Sequence, residues 1–205
     1  MMSMLERLKF MLIGWGTVGV VYTLSDRLQG EGFRLTPWRI DSLIPFSSGA
    51  VWLYLSFFLI VPLGYLLTPP TRLRWLSRAM QLSALGAGAV YLLWPTTIDY
   101  PQYTGEGFTR TLVDALLTVD SSQNCFPSLH VALTMLAVWA IAQRRQTFLT
   151  VASVVWAVAI AFSILQLRRH LFIDLLGGAI LVWGCGWLAV RWEIYSSQNR
   201  EIIHE

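Results

Sequence analysis

The sequence predicts an all-α integral membrane protein that crosses the bilayer about six times. Six apolar segments can be drawn along its 205 residues, of which 55% are hydrophobic and only 13% charged. Soluble domains carry about 25% charged residues, roughly twice this share. Mean hydropathy is +0.55. The length suffices for several spans but not for a separate soluble domain, so residues 1–205 read as a single transmembrane domain. The formal charge of +3 comes with no basic cluster, and nothing in it points to nucleic acid as a partner.

The first segment, residues 10–24, follows Arg7 and Lys9 as a secretion signal would. Residues 21–25 are too bulky for a cleavage site, so it reads as an uncleaved first span. The others are residues 48–68, 75–94, 128–143, 147–167 and 171–190. Crossing about 30 Å of hydrocarbon takes about 20 helical residues, so the first and fourth should extend by a turn into their flanks. Gly16, Gly19, Ala84, Gly88, Gly177 and Gly178 are the small residues expected where helices pack closely in lipid.

Between the spans, residues 107–120 place Phe108, Leu112, Ala115, Leu116 and Val119 at helical spacing, with Arg110 and Asp114 off that stripe. This predicts a short amphipathic helix on the membrane interface. Residues 31–46, with Phe33, Trp38 and Phe46, are expected to dip into the headgroup region. Cys125 and Cys185 read as free buried thiols, and no Cys/His zinc pattern exists.

Loop charge sets the expected orientation. With the N-terminus inside, the inner loops hold nine basic residues: Arg7, Lys9, Arg72, Arg74, Arg78, Arg144, Arg145, Arg191 and Arg200. The outer loops hold six: Arg27, Arg34, Arg39, Arg110, Arg168 and Arg169. Both termini are therefore expected to be cytoplasmic, in an inner or plasma membrane. The fourth and sixth spans then start from the outer face, which puts His130 and His170 at one depth.

Of three histidines, His204 lies in a polar tail, whereas His130 and His170 each open an apolar run. Asp174 follows His170 by four residues and shares its helix face. A lone carboxylate within a span costs about 2.5–3.5 kcal/mol on insertion scales, and His170 is the obvious partner. A neutral, oriented histidine can attack phosphorus, Asp174 can orient it, and His130 can protonate the expelled alkoxide. Arg168 and Arg169 precede the nucleophile, while two helix N-termini and the Ser128 hydroxyl can hold phosphate.

The segments Pro127-Ser128-Leu129-His130 and Ser163…His170…Asp174 resemble the second and third signature motifs of the type 2 phosphatidic acid phosphatase superfamily. Leu129 and Arg168 are similar to the inositol phosphorylceramide synthase-like branch. The local match runs over about residues 124–178, and the motif-bearing core over about 95–190. The resemblance implies a bundle of six helices with an extracytoplasmic site that takes a lipid phosphate or phosphodiester. It implies a phosphohistidine on His170, Asp174 as its orienting partner, His130 as general acid, and phosphate binding by Ser128 without metal or cofactor.

Two departures are visible. Ile164 stands where the third motif has arginine, and the basic first motif (Lys, then Arg-Pro six residues on) is absent from residues 94–101. The phosphate clamp must then come from Arg168, Arg169 and Arg110. The competing expectation is a non-enzymatic transporter in which His130, His170 and Asp174 bind a metal or relay protons.

Overall fold

The computed structural model describes residues 2–103, 106–142 and 147–203, with side chains as far as residue 196. Helix α1 (Met4–Leu28) starts on a capping box: the Ser3 hydroxyl accepts the Glu6 N–H, and the Glu6 carboxylate accepts the Ser3 N–H. It exceeds the expected bounds at both ends. A two-residue strand β1 (Phe33–Arg34) and a short helix α2 (Arg39–Leu43) follow.

The second span is broken into α3 (Val51–Leu55) and α4 (Phe57–Leu67). Ser56 makes the break. Its hydroxyl donates to the Leu53 carbonyl at 2.6 Å and accepts the Trp156 indole N–H at 2.8 Å. Within α4, Pro62 has no N–H to offer the preceding turn.

Helix α5 (Pro70–Leu93) runs alongside α1 and leads to the strand β2 (Thr96–Thr97). The amphipathic segment is α6 (Gly107–Val119), close to the predicted bounds. Then come α7 (Leu129–Ile141), α8 (Thr147–Gln166) and α9 (Phe172–Ile203). Among the described residues, four helical segments are long and apolar enough to cross a membrane: Met4–Leu28, Ser48–Leu67, Thr147–Gln166 and Phe172–Ser196. The fold is that of an all-α polytopic membrane protein.

Helix α7 is the hub, packed against α4, α5, α8 and α9, with ten of its 13 residues buried. At 1.5 Å per residue it is about 20 Å long, short of the hydrocarbon thickness. At its C-terminal end Arg72 donates to the carbonyls of Trp139 (3.3 Å) and Ala142 (2.9 Å). Gln143, to which this span was expected to run, lies outside the described residues. Arg7 likewise donates to the carbonyls of Tyr65, Leu66 and Thr68 at the end of α4, at 2.8–3.0 Å. Arginines expected only to set orientation therefore also cap helix C-termini.

The expectation about small residues needs one correction. A Cβ at Gly16 or Gly19 would meet nothing within 4 Å, whereas one at Gly14 would overlap Tyr65 and Ser77. Gly14 is thus the close-approach glycine of α1, because it faces α4 and α5. At Gly178 a Cβ would stand 2.5 Å from the Ser128 carbonyl oxygen, a backbone atom that cannot swing away. Gly178→Ala is expected to destabilise the fold by about 1–3 kcal/mol. Thermal unfolding in detergent checks this, with Gly184→Ala, where a Cβ meets nothing, as the neutral control.

At the end of the bundle that carries both histidines, β1 pairs in parallel with β2, Phe33 opposite Thr96 and Arg34 opposite Thr97. Thr96 also bridges to Asn124. This small pleat was not expected from the sequence. It gathers the three connections that follow α1, α5 and α6 into one cover.

Candidate active site

The chain turns sharply between α8 and α9. Arg168 adopts a left-handed backbone (φ 54°), which frees its N–H to reach the Leu165 carbonyl (3.1 Å) while Arg169 reaches Ile164 (3.2 Å). His170 and Asp174, 5% and 0% exposed, follow at once. Asp174 Oδ2 accepts the Leu171 N–H at 2.8 Å and stands 3.4 Å from His170 Nδ1. The carboxylate therefore caps the helix on which it sits and faces the imidazole. Asp174 Oδ1 and His170 Nδ1 are buried without a hydrogen bond among the described residues.

Helix α2 locks this turn from outside. Asp41, 1% exposed, accepts the Phe172 N–H (2.7 Å) on one oxygen and the Trp38 N–H (2.8 Å) on the other. In return, Arg168 donates to the carbonyls of Asp41 (2.6 Å) and Ile44 (2.7 Å).

His130 lies in the first turn of α7. Ser128 is the N-cap, its hydroxyl accepting the Val131 N–H at 3.4 Å, and its own N–H donates to the Asp174 carbonyl at 3.0 Å. This backbone bond sews the two histidine segments together. The His130 and His170 rings lie 5.8 Å apart, centroid to centroid. Tyr54 and Phe57 wall the His130 ring at 4.9 and 4.8 Å, and the Tyr54 hydroxyl is 2.9 Å from Nε2.

A second carboxylate, Asp120, lies beside them. It accepts hydrogen bonds from the hydroxyls of Tyr22 (2.7 Å) and Tyr54 (2.9 Å) and from Arg169 Nε (2.9 Å). Arg169 also donates to the Asp120 and Ser121 carbonyls, and its guanidinium stacks 4.6 Å from the Tyr100 ring centre. Burial pushes the Asp120 carboxyl upward, but the nearby His130 and Arg169 charges and the Tyr22 hydroxyl overcome this and hold it below the usual carboxylate range. Arg169 stays charged, its pKa raised by Asp120 against the effect of burial. Burial pushes the free Cys125 thiol up to about 12, so it is inert as a nucleophile.

His130, His170, Asp174, Ser128 and Arg169 thus converge. Arg168 is turned to α2, and Arg110 is paired with Asp114 (2.9 Å) and the Tyr103 carbonyl, about half exposed on α6. Where the basic first motif would lie, Asp99 pairs with Arg34 in solvent. Sequence reasoning missed Asp41, Tyr22, Tyr54 and Asp120. Their one signal was a polar group within or beside an apolar or amphipathic stretch, with no spacing to connect them.

An apolar groove of about 410 Å³ between α1, α4, α6 and α7 is walled by Trp15, Phe57, Phe58, Leu116 and Leu133. Asp120 and His130 form its polar end. A larger groove of about 560 Å³ between α7, α8 and α9 is lined almost wholly by apolar groups. Among the described residues, no three His, Cys, Asp or Glu side chains converge as metal ligands.

Fold and site together define a helical membrane protein with a paired-histidine centre at one end of its bundle. The PAP2 superfamily model matches residues 44–188, over two thirds of the chain, and the protein belongs to that superfamily. Its members are in general phosphatases and phosphotransferases. No curated protein and no solved structure matches the chain.

Proposed function

We propose that this protein is a membrane lipid phosphatase or phosphotransferase that works through a phosphohistidine on His170. The observation that carries the reading is the placement of the His130 ring 5.8 Å from a His170 ring backed by Asp174. Asp174 holds a proton on Nδ1, which leaves the Nε2 lone pair free to attack phosphorus. As the P–N bond forms, the P–O bond to the lipid breaks and His130 protonates the departing oxygen. The second half reverses the roles: His130 takes the proton of water or an alcohol whose oxygen displaces His170.

Phosphate binding falls to Arg169, the Ser128 hydroxyl and the amides opening α7, since those opening α9 are taken by Asp174 and Asp41. Arg168 supports the nucleophile's turn through α2, and Arg110 would reach substrate only by leaving Asp114. The groove ending at His130 and Asp120 suits the hydrocarbon chain of a lipid phosphate or phosphodiester. In this reading the termini are cytoplasmic, the site faces the extracytoplasmic side, and neither metal nor cofactor takes part.

The test is turnover in detergent against phosphatidate, polyprenyl diphosphate, sphingoid phosphate and phosphoinositide. Phosphate release identifies a hydrolase; lipid products without release identify a transferase, as in the inositol phosphorylceramide synthase-like branch. Vanadate is expected to block the reaction and a chelator to leave it unchanged. Loss of activity with chelator would favour the metal-binding alternative at His130, His170 and Asp174.

A further inference from the structure

Asp174 serves His170, and a different carboxylate serves the other histidine. We infer that Asp120, acting through the hydroxyl of Tyr54, is the orienting carboxylate of His130. The site then holds two histidine–carboxylate couples, one direct and one bridged by a phenol. This rests on reading His130 as the general acid.

Proton counting carries the inference. The Tyr54 oxygen is 2.9 Å from Asp120 Oδ2 and 2.9 Å from His130 Nε2. A phenol has one proton and can give it to only one of them. Asp120 accepts from Arg169 and Tyr22 as well, a set of donors that suits an ionised carboxylate, and an ionised carboxylate can only accept. The Tyr54 proton therefore points to Asp120, and a lone pair of its oxygen points to His130. Nε2 of His130 must then carry a hydrogen, and in the neutral ring the lone pair is on Nδ1.

This assigns the working nitrogen. When His130 is cationic, both nitrogens are protonated. Nδ1 gives its proton to the oxygen leaving phosphorus, while the Nε2–H bond to Tyr54 is kept. In the second half, neutral Nδ1 takes a proton from the attacking water or alcohol as the P–N bond breaks. Asp120 stabilises the cation through the phenol without touching substrate, so Tyr54 and Asp120 are positioning residues. The other groups facing the ring are His170 and Arg169 from the turn before α9, both of which oppose a positive charge when charged themselves. Tyr54 is fully buried, and its ring and that of Phe57 leave the imidazole little freedom to flip.

The test uses the full-length protein in detergent, with ¹⁵N-histidine NMR and steady-state kinetics. Wild-type His130 is expected as the Nε2–H tautomer; an Nδ1–H form would overturn the proposal without any variant. Tyr54→Phe should mix the tautomers and lower kcat about 10- to 100-fold, the usual effect of losing an orienting partner, with KM little changed. The alkaline limb of its pH profile should move to lower pH, because the acid has lost its anionic support. Tyr22→Phe removes a hydroxyl from the other oxygen of Asp120 and should keep the Nε2–H tautomer. Equal tautomer mixing in both variants, or an unchanged tautomer, kcat and pH limb in Tyr54→Phe, overturns the couple. If His170→Ala is inactive in that last case, the phosphohistidine reading stands alone. A tautomer change in Tyr54→Phe of a protein that turns over no phosphate ester would keep the couple and discard the reaction.

Discussion

Replacing His170 by alanine is expected to lower phosphoryl turnover by a factor on the order of 10⁴ or more, because the covalent nucleophile is lost outright. The variant should keep its fold. Among the described residues His170 Nδ1 has no hydrogen-bond partner, and the cap on α9 is supplied by Asp174 and Asp41, which remain. Rapid quenching of the wild type with a ³²P-labelled substrate should trap a phosphoenzyme stable to base and labile to acid, as a P–N bond is. The alanine variant should trap none. Wild-type turnover in His170→Ala would sink the proposed mechanism. Asp174→Asn should be nearly as damaging, since an amide that donates where the carboxylate accepted would select the wrong tautomer.

The largest effect on stability is expected at Asp120. Its pair with Arg169 is almost completely buried, at 7% and 3% side-chain exposure. Removing one partner of such a pair leaves a charge without compensation and typically costs about 3–5 kcal/mol. Asp120→Ala should therefore unfold at much lower temperature or denaturant than the wild type. Adding Arg169→Met should restore much of that loss, because no buried charge is left, but should not restore turnover. Two independent, additive losses would rule out the coupling. The sign with pH follows from the lowered carboxyl of Asp120. Its contribution is complete above the ordinary carboxylate range and fades only as pH falls through its lower folded value.

The placement of the histidine motifs was legible because the geometry there is local. An i, i+4 pair on one helix and a Pro-Ser helix opening can be read from spacing, and His170, Asp174 and Ser128 stand accordingly at helix starts. The amphipathic α6 was legible from its apolar period. Asp120, Tyr54 and Tyr22 were not, because they come from three elements whose meeting depends on how α1, α3 and α6 pack. The break at Ser56 was hidden for the same reason: it depends on Trp156, 100 residues away. Arg168 and Arg169 look equivalent in sequence, yet the left-handed backbone at Arg168 sends its side chain to α2 while its neighbour turns inward. The short strands carry too few residues for alternation to show.

The bond from the Ser128 N–H to the Asp174 carbonyl has a consequence for how such a protein can change over generations. The separation of the two imidazoles is set by main-chain atoms of α7 and α9, helped by the close fit of Gly178 on the Ser128 carbonyl. If the proposed chemistry holds, side chains along the apolar groove can then be exchanged for a new headgroup or tail without moving the two imidazoles. On that reading, selectivity and chemistry are built from different parts of the polypeptide, and drift in one leaves the other in register.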